Sequence, residues 1–156
     1  TFTTTIPFEI ATDYEEAITY EKSDEDGDVT DVKVLLVEDN ELNMEIAEFL
    51  LENAGMEVTA VFNGKEAVDV FASSEENYFD LILMDIMMPI MDGLTATRTI
   101  RAMKRRDAKK IPIFAMTANA FLDDMEKSRK AGMNEHLSKP LDESQMMSVI
   151  RRYVAN

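Results

Sequence analysis

The sequence predicts an α/β protein built on a parallel β-sheet with helices on both faces. The first observation is an alternation: from Val32 onward, five short segments of strand length, four of them mostly apolar, alternate with five segments of helical character. The second is the length of those helical segments, because helices of this size usually connect parallel strands. The third is that 46% of the 156 residues are apolar, which suffices for one sizeable core.

Each element has a sequence basis. The predicted strands are short, mostly apolar runs at Val32–Val37, Glu57–Phe62, Leu81–Met84 and Ile111–Met116, with a further short strand at Asn134–Leu137. The predicted helices are Glu41–Ala54, Lys65–Ala72, Leu94–Arg106, Ala120–Ala131 and Asp142–Val154. Gly55 and Gly132 end the first and fourth helices, and Asn63-Gly64 turns into the second. The third helix has a basic end, as the helix dipole favours. Met84, Met116, Met146 and Met147 fall on core-facing positions and are predicted to fill the core.

The first 31 residues differ from the remainder in charge. They hold 10 acids and 1 base, a net of −9, whereas residues 32–156 hold 21 acids and 15 bases, a net of −6. Residues 1–10 have the composition of a strand and are interpreted as the remnant of a preceding domain. Residues 11–31 are predicted to form an acidic linker, and residues 32–156 the folded domain. The chain begins at Thr1, so we expect it to be part of a longer protein.

Composition excludes several functions. The chain has no cysteine, which excludes a disulfide scaffold, a thiolate zinc site and a cysteine nucleophile, and it has a single histidine. A net charge of −15 argues against nucleic acid as a partner, because phosphates repel a negative surface. No apolar run reaches the length of about 18 residues that a membrane span needs, so we expect no direct membrane contact.

The chemically informative residues follow the predicted strands. Glu38 and Asp39 come after the first strand, Asp85 after the third, Thr117 after the fourth and Lys139 after the fifth. Ligands of such sheets bind at the carboxyl ends of the strands. Clustered carboxylates suit a hard cation such as Mg²⁺, and a lysine with a hydroxyl suits a phosphoryl group. A carboxylate can itself be the nucleophile and form an acyl phosphate.

These residues lie in four ordered motifs that resemble a known family. The motifs are Val34–Asn40 (VLLVEDN), Met84–Gly93 (MDIMMPIMDG), Met116-Thr117-Ala118 and Ser138-Lys139-Pro140. They resemble the signature motifs of receiver domains, the phosphoacceptor modules of two-component response regulators, over about residues 32–155. The resemblance implies a flavodoxin-like (βα)5 doubly wound sandwich with the strand order 2-1-3-4-5.

The resemblance also implies residue roles. Asp85 would accept a phosphoryl group from a histidine of a partner, and the domain would catalyse this transfer itself. The implied ligands of Mg²⁺, for which Mn²⁺ can substitute, are Glu38, Asp39, Asp85 and the Met87 carbonyl. The implied phosphoryl contacts are Thr117, the Ala118 amide and Lys139. Thr117 and His136 match switch positions, and Met87 and Asn119 match positions that tune phosphate loss. Met87 cannot orient a water by hydrogen bonding, so we expect a long-lived phosphate.

The resemblance further implies a setting and partners. Residues Phe2–Phe8 resemble the closing strand of the ATP-binding domain of histidine kinases, and we expect no DNA-binding domain after Asn156. Together these features predict the C-terminal receiver of a cytoplasmic or membrane-anchored hybrid histidine kinase, with the receiver itself in the cytoplasm. The partner would be a kinase dimerisation domain or a histidine phosphotransfer protein that docks near helix Glu41–Ala54. That helix has more apolar surface than one core stripe needs, so either Leu42 and Phe49 or Met44 and Leu51 are surplus.

The sequence bears on three alternative functions. A haloacid-dehalogenase-like phosphatase needs a second acid two residues after its aspartate, but position 87 is Met. A flavodoxin-like nucleotide binder needs a phosphate-binding loop after the first strand, but Glu38-Asp39 repels phosphate. A phosphorylation-independent interaction module of the receiver type stays open. The sequence indicates neither the oligomeric state nor the stimulus.

Overall fold

A computed structural model describes residues 29–118, 122–139 and 141–154 of the chain. The strands are β1 (Lys33–Val37), β2 (Glu57–Val61), β3 (Leu81–Asp85), β4 (Ile113–Thr117) and β5 (Glu135–Ser138). The helices are α1 (Glu41–Asn53), α2 (Gly64–Ser73), α3 (Gly93–Arg101), α4 (Arg106–Lys110), α5 (Leu122–Ala131) and α6 (Glu143–Val154). β3 and β4 extend one residue past their predicted ends, so that Asp85 and Thr117 are the last residues of their strands.

The five strands form one parallel sheet in the order β2-β1-β3-β4-β5, which confirms the predicted fold class and strand order. The chain moves outward in one direction from β1 to β2 and in the other direction from β3 to β5. The order therefore reverses between β1 and β3, the position at which sheets of this type leave a crevice for a ligand. The register pairs Val37 of β1 with Met84 of β3, so their carboxyl ends lie side by side.

The core has one layer on each face of the sheet. One cluster includes Met44, Ala47 and Leu51 of α1 and the apolar face of α6. The other includes Ala67 and Phe71 of α2 and Ala96 and Ile100 of α3. The central strands are buried on both faces, as expected of a covered parallel sheet. The four methionines predicted to fill the core, Met84, Met116, Met146 and Met147, are all buried, and that prediction is confirmed.

One helix prediction is wrong. The helix predicted over Leu94–Arg106 ends at Arg101, and a separate short helix, α4, begins at Arg106. Arg105 between them has an extended backbone, with φ −140° and ψ 150°. Its guanidinium donates to the Phe71, Ser74 and Glu75 carbonyls and forms an ion pair with Asp107 at 2.8 Å. These hydrogen bonds with the end of α2 hold Arg105 outside a helical conformation, and they depend on contacts distant in sequence.

The folded unit includes the residues immediately before β1. Val29 is buried in the same cluster as α1 and α6, and the Asp31 amide donates to the Gly55 carbonyl at 2.9 Å. The strand predicted over residues 1–10 and residues 11–28 of the predicted linker lie outside the described residues. Among the helices that the structure describes, none has the length and apolar character required to cross a membrane.

Candidate functional site

The sheet brings the predicted acidic residues into one cleft. Glu38 follows β1 and Asp85 ends β3, and these strands are neighbours in the sheet. Carboxylate oxygens of Glu38, Asp39 and Asp85 all lie within 4.8 Å of one another. Glu38 is 1% exposed and Asp85 4% exposed, whereas Asp39 is exposed to solvent. Two buried acids and one exposed acid therefore share a small volume at the carboxyl edge of the sheet.

Lys139 completes the cleft from the far end of the sheet. Its Nζ donates to both carboxylate oxygens of Glu38, at 3.0 and 2.9 Å, and lies 3.2 Å from Asp85 Oδ2. Its amide donates to the Thr117 carbonyl at 2.9 Å, which fixes the residue beside the end of β4. Burial lowers the pKa of Lys139, but the hydrogen bond with Glu38 and the charge of Asp85 outweigh it and raise the pKa overall. Lys139 is therefore a firmly charged ammonium group.

The cleft disfavours the ionised form of Asp85. Burial and the adjacent Glu38 carboxylate raise its pKa to about 7, against the opposing effect of Lys139. Its Oδ1 accepts a hydrogen bond of 3.3 Å from the Met87 amide. One lysine thus does not fully offset the burial and repulsion of these acids. Additional positive charge in the cleft would stabilise the ionised form of Asp85.

The backbone geometry of α1 positions the first acids. Asn40 is the N-cap of α1 and accepts from the Asn43 amide at 3.0 Å, so the helix begins immediately after Glu38-Asp39. Asn43, in the first turn, donates its side-chain amide to Glu38 Oε1 at 3.1 Å. Sequence reasoning missed Asn43, because its spacing from Glu38 becomes meaningful only once the start of the helix is known. Glu38 is consequently held from two sides, by Asn43 and by Lys139.

The remaining predicted residues surround this centre. Thr117 is buried at the end of β4, and Ala118 after it is exposed. Met87 is 78% exposed on the loop after β3. His136 is half-buried on β5, and its Nε2 has no hydrogen-bond partner among the described residues. Burial, followed by the charge of Arg129, lowers the pKa of His136. Asn119 lies outside the described residues.

The donor set fits a hard divalent cation. It consists of carboxylate oxygens, without sulfur or imidazole ligands in the described cluster. Mg²⁺ prefers such oxygen ligands and is usually held by a few carboxylates together with water. Burial first, and the Glu38 carboxylate second, raise the pKa of Asp85, and a cation beside it would favour its ionised form. The cleft therefore has both the ligand chemistry and the electrostatics of a magnesium site.

A five-stranded sheet of order 2-1-3-4-5 with acids and a lysine at its carboxyl edge defines a flavodoxin-like domain with an acidic cleft. The sequence model of one protein family, the response regulator receiver domain, matches residues 34–151, and the chain belongs to this family. It is a receiver domain of two-component signalling, as the sequence motifs predicted.

Three relatives illustrate the family. Hybrid signal transduction histidine kinase I of Dictyostelium discoideum is 37% identical over 124 residues, which are 78% of this chain and 7% of that protein. The receiver domain of sensor histidine kinase PA1611 from Pseudomonas aeruginosa was solved with magnesium coordinated in its active site cleft. It is 38% identical, with a TM-score of 0.72, over 80% of this chain and 98% of that one.

The third relative is a receiver domain in a complex. The Saccharomyces cerevisiae receiver domain of Ssk1 was solved with the histidine phosphotransfer protein Ypd1. It is 28% identical, with a TM-score of 0.70, over 80% of this chain and 89% of that one. This chain spans only a small fraction of the length of its kinase relatives, so the similarity does not extend to their other activities.

Proposed function

We propose that Asp85 accepts a phosphoryl group from a phosphohistidine of a partner protein. A carboxylate oxygen of Asp85 attacks phosphorus, the phosphorus–nitrogen bond breaks, and the imidazole leaves as the partner's restored histidine. The observation that carries the proposal is the placement of a buried carboxylate at the end of β3, with Lys139 Nζ 3.2 Å away. Such a group is a positioned nucleophile with a cation ready to receive the charge of the transferred group.

Mg²⁺ supports the transfer in this proposal, and Mn²⁺ can substitute for it. Glu38, Asp39 and Asp85 hold the ion together with the Met87 carbonyl. When bound, the ion neutralises negative charge on the carboxylates and on the phosphoryl oxygens. The clustered carboxylates and the PA1611 relative's magnesium both support this assignment.

In this proposal, residues on or just after β4 and β5 bind the phosphoryl group and transmit the conformational change. Lys139, Thr117 and the Ala118 amide contact the phosphoryl oxygens, and Thr117 and His136 carry the conformational change onward. His136 suits this role because its half-buried ring has a ring nitrogen without a partner in the described structure, so a change in rotamer breaks no hydrogen bond there. Met87 and Asn119 tune the lifetime of the acyl phosphate. Met87 favours a long lifetime, because a thioether cannot orient an attacking water.

Phosphorylation by a small donor tests this function directly. Incubation with Mg²⁺ and acetyl phosphate should add the mass of one phosphoryl group, and peptide mapping should locate it on Asp85. Asp85→Asn should abolish the labelling, because an amide lacks the nucleophilic carboxylate. Asp80→Asn is the matched control: Asp80 is an exposed acid just before the opposite end of β3, and its loss should leave the labelling intact.

The same experiment separates the competing function. A phosphorylation-independent interaction module would fold normally and take up no phosphoryl group with Mg²⁺ present. Unchanged labelling of Asp85→Asn would also contradict the proposal, since another residue would then be the acceptor.

The setting of the domain is part of the proposal. We infer that it is the receiver of a hybrid histidine kinase and acts in the cytoplasm. The similarity to hybrid signal transduction histidine kinases of Dictyostelium discoideum supports the first part of this inference. The phosphodonor is then a kinase dimerisation domain or a histidine phosphotransfer protein, the class of partner seen with the Ssk1 receiver.

Exposed apolar residues on α1 support a docking site for such a partner. Met44 and Leu51 are buried, whereas Leu42 and Phe49 are 65% and 66% exposed, which identifies the surplus flank of this helix. Ile46 on the same helix is 45% exposed and lines a small, mostly apolar cavity beside Glu38 and Lys139. We propose that the phosphodonor covers this flank, since it joins directly to the acidic cleft.

Alanine substitutions on this flank should separate docking from chemistry. Leu42→Ala and Phe49→Ala should slow transfer from the phosphorylated partner about tenfold or more, because exposed apolar contacts of an interface are lost. Labelling by acetyl phosphate should be unchanged. Tyr78→Ala removes a 44% exposed aromatic residue just before the opposite end of β3 and serves as the control. Equal loss with both donors would rule out the docking role.

A further inference from the structure

The loop between β3 and α3, residues 86–92, has an unusual backbone. Ile90 has a φ of +70°, in the left-handed region that branched side chains rarely adopt. The Met91 amide donates to the Pro89 carbonyl at 2.7 Å, which closes a three-residue γ-turn around Ile90. Ile90 is 80% exposed, so burial of its side chain does not hold this turn. Surrounding backbone contacts must therefore impose the conformation.

Gly64, the first residue of α2, provides such a contact. Its amide donates to the Met91 carbonyl at 3.1 Å. A Cβ atom on Gly64 would lie 2.5 Å from the Met91 carbonyl oxygen and 3.0 Å from the Asp92 carbonyl oxygen. Side-chain atoms do not tolerate such distances from backbone oxygens. Only glycine lets the start of α2 press this closely against the loop.

The start of α2 is itself firmly held. Asn63, which is buried, caps the helix by accepting from the Glu66 amide at 2.9 Å. Glu66 in turn accepts from the Phe62 amide at 2.8 Å. These two hydrogen bonds hold the first turn of the helix and the residue before its cap in place. The loop therefore rests against a rigid surface.

The position of this loop matters for the acidic cleft. Its second residue, Met87, donates its amide to Asp85 Oδ1. The loop is also closed at its base, where the Gly93 amide donates to the Ile86 carbonyl at 2.9 Å. A shift at Met91 would thus be transmitted along a short, closed segment to Met87 and to the carboxylate of Asp85.

We propose that Gly64 is a positioning residue for the acidic cleft: it clamps the 86–92 loop so that the backbone of Met87 stays beside the Asp85 carboxylate. The proposal rests on the function proposed above, in which the Met87 carbonyl is a ligand of Mg²⁺. Gly64 touches neither the ion nor the phosphoryl group and acts only through the loop. The first residue of α2 thereby acquires a role in the geometry of the acidic cleft.

Gly64→Ala tests the clamp with two measurements. Mg²⁺ affinity, measured by isothermal titration calorimetry, should fall about tenfold, the usual effect of losing a residue that orients a ligand. In the metal-free protein, hydrogen exchange of the Met87 amide should be faster than in the wild type. Gly55→Ala is the matched control. Gly55 has a φ of +96°, and the three atoms nearest to a Cβ built on it all belong to Thr30, so alanine there should destabilise the fold and leave Mg²⁺ affinity unchanged.

Asn63→Ala covers the case in which Gly64→Ala does not fold. It removes the cap of α2 without adding atoms, and it should change both measurements in the same direction, but less. Wild-type affinity and exchange in a folded Gly64→Ala protein would overturn the clamp, as would an equal loss of affinity in Gly55→Ala. If the wild type bound no Mg²⁺, the proposed metal site would be wrong. Hydrogen exchange would then test the clamp alone: faster exchange of the Met87 amide in Gly64→Ala would support it, and unchanged exchange would contradict it.

Discussion

Asp85→Asn should stabilise the metal-free protein at pH 8. Burial and the Glu38 carboxylate raise the pKa of Asp85 to about 7, so its ionisation is more costly in the folded chain than in the unfolded one. Asparagine keeps the shape of the side chain and removes the charge. A rise from 3.8 to about 7, at about 1.4 kcal/mol for each pKa unit, corresponds to a stabilisation on the order of 4 kcal/mol in the free energy of unfolding. Urea denaturation in the presence of EDTA measures it.

The effect should depend on pH in a defined direction. Between pH 4 and pH 7, folded Asp85 retains its proton while the unfolded chain loses it, so the contribution of Asp85 to wild-type stability should fall as pH rises through this range. Below about pH 4 both states are protonated, and above about pH 7 both are ionised. The advantage of Asp85→Asn should therefore be small at pH 4.5 and largest at pH 8. Saturating Mg²⁺ at pH 8 should stabilise the wild type and reduce the difference.

Asp80→Asn again provides the comparison. Asp80 is exposed, and its carboxylate accepts a hydrogen bond from the Lys33 amide at 3.0 Å. Its replacement should lower stability slightly at both pH values. If Asp85→Asn destabilised the metal-free protein at pH 8, the acids of the cleft would not repel one another as the geometry indicates.

The sequence predicted the fold because its signals are local and repeated. Four of the five predicted strands are short, mostly apolar runs, and each of the five is followed by a polar residue. A parallel sheet brings such strand ends to one edge whatever the side chains between them. Glu38, Asp85 and Lys139 could therefore be placed together without coordinates. The ordered motifs around them were specific enough to predict the family and, through it, the strand order.

Other features depend on contacts that no local pattern contains. The break between α3 and α4 arises because Arg105 binds carbonyls at the end of α2, more than 30 residues earlier. The helical wheel could not show which flank of α1 is exposed, because that depends on which face of the helix the sheet and α6 cover. Gly64 reads as an ordinary helix start, and its contact with the Met91 carbonyl is visible only in three dimensions.

Lys139→Met should have the opposite effect on the same cluster. Lys139 Nζ is the one cation within ion-pair distance of Glu38 and Asp85 in the described part of the chain. Methionine keeps much of the side-chain length and leaves two buried carboxylates without this partner. Removing one member of a buried ion pair costs about 3 kcal/mol or more, because the remaining charge stays out of water. Urea denaturation of the metal-free protein at pH 8 should show this loss.

Two comparisons tie that loss to the cleft. Lys65→Met removes a lysine whose Nζ lies 3.1 Å from Asp69, an exposed pair on α2, and should change stability by only about 0.5 kcal/mol. Adding Asp85→Asn to Lys139→Met should recover part of the lost stability, since the acid without a partner is removed along with its charge. Equal effects of Lys65→Met and Lys139→Met would mean that solvent screens the cleft. Lys139 would then hold no special place between Glu38 and Asp85, and its proposed contact with the phosphoryl group would lose its electrostatic basis.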